Sequence, residues 1–301
     1  MSRRKRLLSA LLVLTALAAI GAGFLFRRQT PPPPLEISLW YWHQPFKIPP
    51  SELVQLKAMG IRQLFVRGGT FRKTESGISL VLPQQWASTA PRLDIQLVFN
   101  FDYNIVRHYA DIDNNSIIPP VIEAVQRQQA KAASAGLNVV GVQFDFDCPT
   151  RLLPKYASLL HALKSKIGNP KSKISITALP TWFSSDEVEK VMAEVDFTVP
   201  QYYEADIPKT LDSLTTISSL ARVERGLQNI GRRGRPFYAG VPAYGHALIF
   251  DDRGKLLGTF PDLGAVDAMK HPAFKLSRSF GAGKDGKPAT LAGYTGYIGE
   301  D

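Results

Sequence analysis

The sequence predicts an α/β chain folded as a (β/α)8 TIM-type barrel whose last β/α unit is truncated or irregular. From Leu35 onward, short apolar segments alternate with segments of helical character, a pattern that implies parallel strands with helices packed outside them. Polar residues cluster at the C-terminal ends of seven such strands, the rim on which barrels of this type build their sites. The fourth strand begins as the apolar run Val139–Val142, of the kind found in a fully buried parallel strand, and runs on into two aspartates.

The first strand is expected over Glu36–Trp42. Pro49 and Pro50 open a helix over Ser51–Met59 with Ser51 as its cap, and Gly60 ends it. Arg62–Arg67 is the second strand, closed by Gly68 and Gly69. Phe71–Leu82 forms a small hairpin or an irregular excursion, and Trp86–Arg92 is at most a poor helix. Asp94–Asn100 is the third strand, ending in Phe101, Asp102 and Tyr103. A long helix over Val121–Ala135, stopped by Gly136, leads into the central strand. Leu152–Ile167 is the next helix, Lys173–Ala178 the fifth strand, Asp186–Glu194 a helix and Asp196–Tyr203 the sixth strand. Thr210–Ile230 is helical for much of its length, and Phe237–Val241 is the seventh strand. A hairpin follows around Asp251–Gly254, and Leu291–Tyr294 is a weak candidate for the eighth strand, with no helix after it.

Side chains alternate along a strand, so Gln143, Asp145 and Asp147 share one face of the fourth strand, and Phe144 and Phe146 share the other. The polar face looks into the barrel mouth while the aromatics pack under the helices. Burying two carboxylates is costly unless they are paired, hydrogen-bonded or protonated. Adjacent carboxylates also push their pKa values apart, which lets one keep a proton near neutral pH and act as an acid. A pair of aspartates capping the following helix is the structural alternative.

The chain has 301 residues, a length that a single α/β barrel of ~250 residues and its leader would fill. Its net charge of +10 resembles a nucleic-acid signal until the charges are located. Arg3, Arg4, Lys5, Arg6, Arg27 and Arg28 flank the first apolar segment, and without them 30 basic residues face 26 acidic ones. Arg232, Arg233 and Arg235 read as a solvated loop, and with no basic stripe interleaved with aromatics, nucleic-acid binding is not expected.

Residues 1–6 form a basic cytoplasmic N-terminus, and Leu7–Phe26 is an uncharged run long enough to span a bilayer. The run is either an uncleaved transmembrane anchor or a signal peptide, with small residues from Ala16 to Gly23 as weak cleavage points; its length and its ending in Arg27 and Arg28 favour the anchor. Residues 27–34 are a spacer stiffened by Pro31–Pro34, and the body occupies residues 35–301. Cys148 is the single cysteine, so no internal disulfide forms, and it lacks the companion ligands of a zinc site. No metal or other cofactor is expected. His108, His161, His246 and His271 show no ligand spacing, and no nucleophilic triad or phosphate-binding glycine loop stands out.

Three blocks resemble the chitinase-like glycosidases of glycoside hydrolase family 18, over roughly residues 36 to 250. That family carries Asp-Gly-x-Asp-x-Asp-x-Glu on its fourth strand, where this chain has Val140-Gly141-Val142-Gln143-Phe144-Asp145-Phe146-Asp147, with Pro149 at a frequent family proline. Its sixth strand ends in Met-x-Tyr-Asp, and here Val195-Asp196-Phe197 leads to Gln201-Tyr202-Tyr203-Glu204. Its seventh carries Gly-x-Pro-x-Tyr-Gly, which Gly240-Val241-Pro242-Ala243-Tyr244-Gly245 matches in full. The nearest likeness is to a bacterial domain-of-unknown-function family regarded as a glycosidase-like barrel.

The resemblance implies Asp147 as general acid/base, one methylene shorter than the family's glutamate, with Asp145 as its electrostatic partner. It implies Gln201 and Tyr203 as residues that steady the reacting group in substrate-assisted cleavage, a known exception to the two-carboxylate scheme. Glu204 is a candidate second carboxylate, although its parity places it off the inward face unless the strand has ended. Trp40 and Trp42 would stack on sugar rings, with core packing as the alternative. Arg67 would pair with an acidic sugar or with Asp102. Gln143, Asn100, Asp102, Trp182 and Tyr244 complete the candidate cleft. The expected protein is thus an envelope-anchored glycosidase-like barrel at the bacterial inner membrane, its body in the periplasm or outside the cell, or secreted if the leader is cleaved. Its ligand is a polysaccharide or amino-sugar glycan. The alternatives are a degenerate carbohydrate-binding or scaffold barrel, and a different hydrolase such as a deacetylase, for which a histidine-rich metal cluster is lacking.

Overall fold

The computed structural model describes residues 35–87, 93–167, 172–203, 208–213, 217–242, 246–251, 253–261, 274–280 and 291–296. Two compact units, Met1–Ile37 and Ser38–Asp301, divide the chain. Of the first, residues 35–37 are described and carry no helix or strand; the expected anchor and spacer lie outside the described residues. Among the described residues, no helix is long and apolar enough to cross a membrane.

In the second unit, six parallel strands run side by side in the order β1 (Leu39–Tyr41), β2 (Gln63–Thr74), β4 (Asp94–Phe101), β5 (Asn138–Asp145), β6 (Lys173–Ala178) and β7 (Phe197–Pro200). The strand β3 (Gly77–Val81) folds back on the end of β2 as an antiparallel hairpin. Along chain order each parallel strand neighbours the next, the arrangement expected of β/α units wound in one direction. A further parallel segment follows β7, bridging Thr198 to Phe237 and Gln201 to Gly240. Backbone bonds from Tyr238 N to Thr198 O and from Gly240 N to Pro200 O, both 3.0 Å, hold it there. The described strands therefore form a parallel half-barrel within an α/β fold.

Helices α1 (Pro50–Ala58), α2 (Tyr103–Arg107), α3 (Asn114–Ser134), α4 (Leu153–Ile167), α5 (Val188–Ala193) and α6 (Leu220–Gly231) connect these strands. The outward residues Ile95, Leu97 and Phe99 of β4, Val142 and Phe144 of β5 and Ile174 and Ile176 of β6 join Ile117, Val121, Val125, Leu159, Leu160 and Leu163 of α3 and α4 in one core. The inward residues Phe65, Val98, Phe197 and Val199 form a second, smaller cluster capped by Trp40. Two apolar layers, one outside the sheet and one inside, follow from the period of two in each strand.

Several expectations need correction. The second strand does not close at Gly68 and Gly69 but continues to Thr74 through a register shift between Arg67 and Gly69. Gly69 has φ +149°, where a Cβ would also lie 2.8 Å from Leu80, so only glycine lets the strand pass this bulge. Ser51 does not cap α1, which begins after Pro49 without a side-chain cap. The long helix, expected from Val121, starts at Asn114, because the Asp113 side chain accepts from Asn115 N; Pro119 and Pro120 lie inside it. The eighth-strand candidate is β11 (Leu291–Gly296), which pairs antiparallel with β10 (Phe274–Phe280) in a separate two-stranded sheet. The hairpin around residues 251–254 is present as β8 (His246–Phe250) and β9 (Leu256–Pro261).

Candidate functional site

Asp145 is the last residue of β5, on the inward side and one layer above Gln143. In register beside it stands Asn100 of β4, which donates from Nδ2 to Asp145 Oδ2 at 2.5 Å. From β6 on the other side, the Thr177 hydroxyl donates to Oδ1 at 2.6 Å. The Gln201 side chain, just past β7, bonds the same carboxyl. Four adjacent strand ends thus converge on one carboxylate. Burial raises its pKa from 3.8 to about 6; Thr177 opposes the rise, the charge of Asp147 adds to it, and Asn100 and Gln201 oppose it.

Asp147 does not lie on the strand as the alternation predicts. It is the exposed middle residue of a tight turn beyond β5, closed by Cys148 N donating to Phe146 O at 2.6 Å. Desolvation by surrounding protein still raises its carboxyl above the ordinary range, and no described residue hydrogen-bonds it. The turn is pinned from below. Phe146 is fully buried against Tyr109, Phe101 and Tyr156, with ring centroids 4.7, 4.8 and 5.1 Å away. Trp182, fully buried against Tyr156, donates from Nε1 to Cys148 O at 2.8 Å. The expectation that Trp182 lines a cleft is therefore corrected: the indole holds the Asp147 turn from the helix side. Burial also pushes the Cys148 thiol up to about 12, so it is a packed, unreactive group.

Below Asp145 the interior is a polar ladder. Gln143 accepts from Trp40 Nε1 at 2.9 Å and approaches Ser175 Oγ at 3.4 Å, to which Gln96 Nε2 donates at 3.0 Å. Gln143 is fully buried beneath the mouth, so its place is under the site, where it orients Trp40. Trp40 is half-buried over Phe65 at 5.7 Å, and its ring end lies 3.2 Å from where a Cβ on Gly240 would stand. Trp42 is 40% exposed just beyond β1.

Asp102 belongs elsewhere. Its Oδ1 accepts from Ile105 N as the cap of α2, and its Oδ2 pairs with Arg72 Nε at 3.1 Å. The expected pairing with Arg67 is corrected, since the Arg67 guanidinium instead reaches Thr70 Oγ1 at 2.9 Å. Tyr203 is half-buried after Gln201. Tyr202 before it points away, into α6, where it lies against Gly226. Glu204 and Tyr244 lie outside the described residues. Among the described residues, no group of three or more His, Cys, Asp or Glu is placed to hold a metal ion. Thr177, Ser175 and Gln96 were missed by sequence reasoning; the alternation of Ser175 and Thr177 with Ile174 and Ile176 already placed them on the inward face.

A family model described as Domain of unknown function (DUF3142) matches residues 105–258. No curated protein matches the chain. Among solved structures, it is similar to the spore cortex-lytic enzyme SleL of Bacillus cereus, with 17% identity and a TM-score of 0.52 over 78% of this chain and 58% of that one. It is similar to SleL of Bacillus megaterium, at 15% and 0.51 over 77% and 57%. A glycoside hydrolase family 18 N-acetylglucosaminidase from Paenibacillus barengoltzii shares 14% identity and a TM-score of 0.51 over 80% and 82%. The chain spans less than two thirds of the length of the two SleL structures. At these identities the likeness is one of fold.

Proposed function

We propose, for a chain that belongs to the family Domain of unknown function (DUF3142), that it is a glycoside hydrolase-like protein acting on a polysaccharide or amino-sugar glycan. In this reading Asp147 is the general acid/base and Asp145 its partner. The observation that carries the reading is the convergence of Asn100, Thr177 and Gln201 on a half-buried Asp145, two residues before an exposed Asp147 carboxyl with no described partner. A hydrogen-bonded carboxylate two residues before a solvent-facing one is an arrangement suited to passing a proton to a glycosidic oxygen. Tyr203 and Gln201 then steady the reacting group, and Trp42 and Trp40 offer ring faces to sugars. Residues 7–26 anchor the protein in the inner membrane, with the body on the far side.

An Asp145 carboxylate held by three side chains is also compatible with a barrel that binds glycans without cutting them. Turnover separates the two. The full-length chain and Asp147→Asn are assayed on N-acetylated and deacetylated amino-sugar polymers, with bound sugar measured in the same samples. Loss of a general acid costs about 100-fold or more in rate, so the expected result is activity lost in the variant while binding persists. Binding without turnover in either protein would replace the hydrolase reading with a sugar-binding one.

A further inference from the structure

We infer that the site selects glycans bearing a carboxylate, and that Arg67 is the residue that selects them; the inference rests on the glycan reading above. Strand alternation puts Arg67 on the inward side of β2 with Phe65, while Leu64 and Val66 face the helices. The register shift at residues 67–69 keeps Arg67 and Thr70 on the same inward side. The guanidinium is half-buried, yet it gives a single hydrogen bond, from Nη2 to Thr70 Oγ1. Its Nε is buried without a partner, and no carboxylate among the described residues stands within ion-pair distance. A desolvated guanidinium with no counter-charge is costly, and its planar fork is matched by a carboxylate that binds it through two parallel hydrogen bonds.

A second open group lies beside it. Thr70 pairs with Asn100 across β2 and β4, and Asn100 Oδ1 is buried and unpartnered while its Nδ2 holds Asp145. Thr70, Asn100 and Asp145 stand in one register row on three successive strands about 4.8 Å apart, and Arg67, from the row below with Val98 and Gln143, reaches Thr70 with its guanidinium. A sugar whose carboxylate takes the open edge of Arg67 and whose hydroxyl donates to Asn100 Oδ1 satisfies both groups and rests beside Asp145. A neutral glycan leaves the guanidinium unpaired.

The test is calorimetric binding of the full-length chain to matched tetrasaccharides. One alternates N-acetylglucosamine with glucuronate, and a second alternates it with N-acetylmuramic acid, so that uronate and lactyl carboxylates are told apart. Each is compared with its carboxyl-amidated, neutral form. The expected result is tighter binding of a charged form by about tenfold or more, with a preference that shrinks as salt rises. Arg67→Gln is expected to abolish the preference while keeping a cooperative thermal transition close to that of the unaltered protein, which reports that the variant is folded; Arg67→Lys restores part of the preference. Equal binding of charged and neutral forms by the unaltered protein, or a preference that survives Arg67→Gln, overturns the inference and leaves the glycan reading standing. Binding of neither form defeats both.

Discussion

At the scale of single residues, Asp145 has a consequence for stability that runs against the habit of carboxylates. Its folded pKa of about 6 lies above the ordinary 3.8, chiefly through burial. The folded state therefore holds more protons than the unfolded state between those values, and this group's contribution falls as pH rises through that window. The contribution is fully present below about 3.8 and lost above about 6. The shift corresponds to a cost of about 3 kcal/mol at pH 7. Asp145→Asn removes the charge, and the open Oδ1 of Asn100 can accept from the introduced amide if the Asn100 amide turns over. The expected outcome is a Tm several degrees higher than that of the unaltered protein at pH 7, converging with it near pH 4, together with loss of activity. An equal gain at both pH values would show that charge burial is not the cause.

At the scale of elements, α6 illustrates a glycine whose sign is reversed by its surroundings. In an exposed helix interior, Gly→Ala gains about 1 kcal/mol. A Cβ at Gly226 would instead lie 2.1 Å from the ring of Tyr202, which is buried at the end of β7. The ring is rigid and has nowhere to retreat, so Gly226→Ala is expected to destabilise by about 1–3 kcal/mol. Pairing it with Tyr202→Leu should recover most of the loss, and denaturant melts of both variants measure the coupling. Additive effects would mean that α6 is not seated on Tyr202.

The same scale shows what could be read beforehand. β6 has the predicted bounds because Ile174, Ser175, Ile176 and Thr177 alternate between helices and interior without interruption. β2 was cut short because two consecutive glycines signal a stop, whereas Gly69 supplies a bulge that only the partner strands reveal. Asp147 was assigned to the strand because periodicity carries no information about where pairing ends. The roles of Asp102 and Trp182 depended on contacts with Arg72 and Cys148, 30 and 34 residues away in sequence, which no local pattern encodes.

For the whole molecule, the parallel order of strands was legible because each β/α unit announces itself locally, while closure was not, since it depends on the pairing of distant edges. Trp40 reaches from β1 to both β5 and the Gly240 segment, so it ties the first strand of the parallel sheet to the segment that follows β7 across the interior. The twenty residues from Leu7 to Phe26 carry no charge, and a helix of that length would measure about 30 Å, the thickness of a bilayer core. In the anchored reading proposed above, Arg3, Arg4, Lys5 and Arg6 before it would hold the N-terminus in the cytoplasm. The full-length chain is accordingly expected to sediment with inner membranes, to resist extraction by high salt and alkaline carbonate, and to be released by detergent. In spheroplasts an added protease should digest the body. An N-terminus sequenced at Met1 or Ser2 would establish the anchor, whereas a chain found soluble and beginning beyond Ala16 would show that the segment is a cleaved signal. That second outcome would move the substrate search from glycans within reach of the membrane to those free in the surrounding medium.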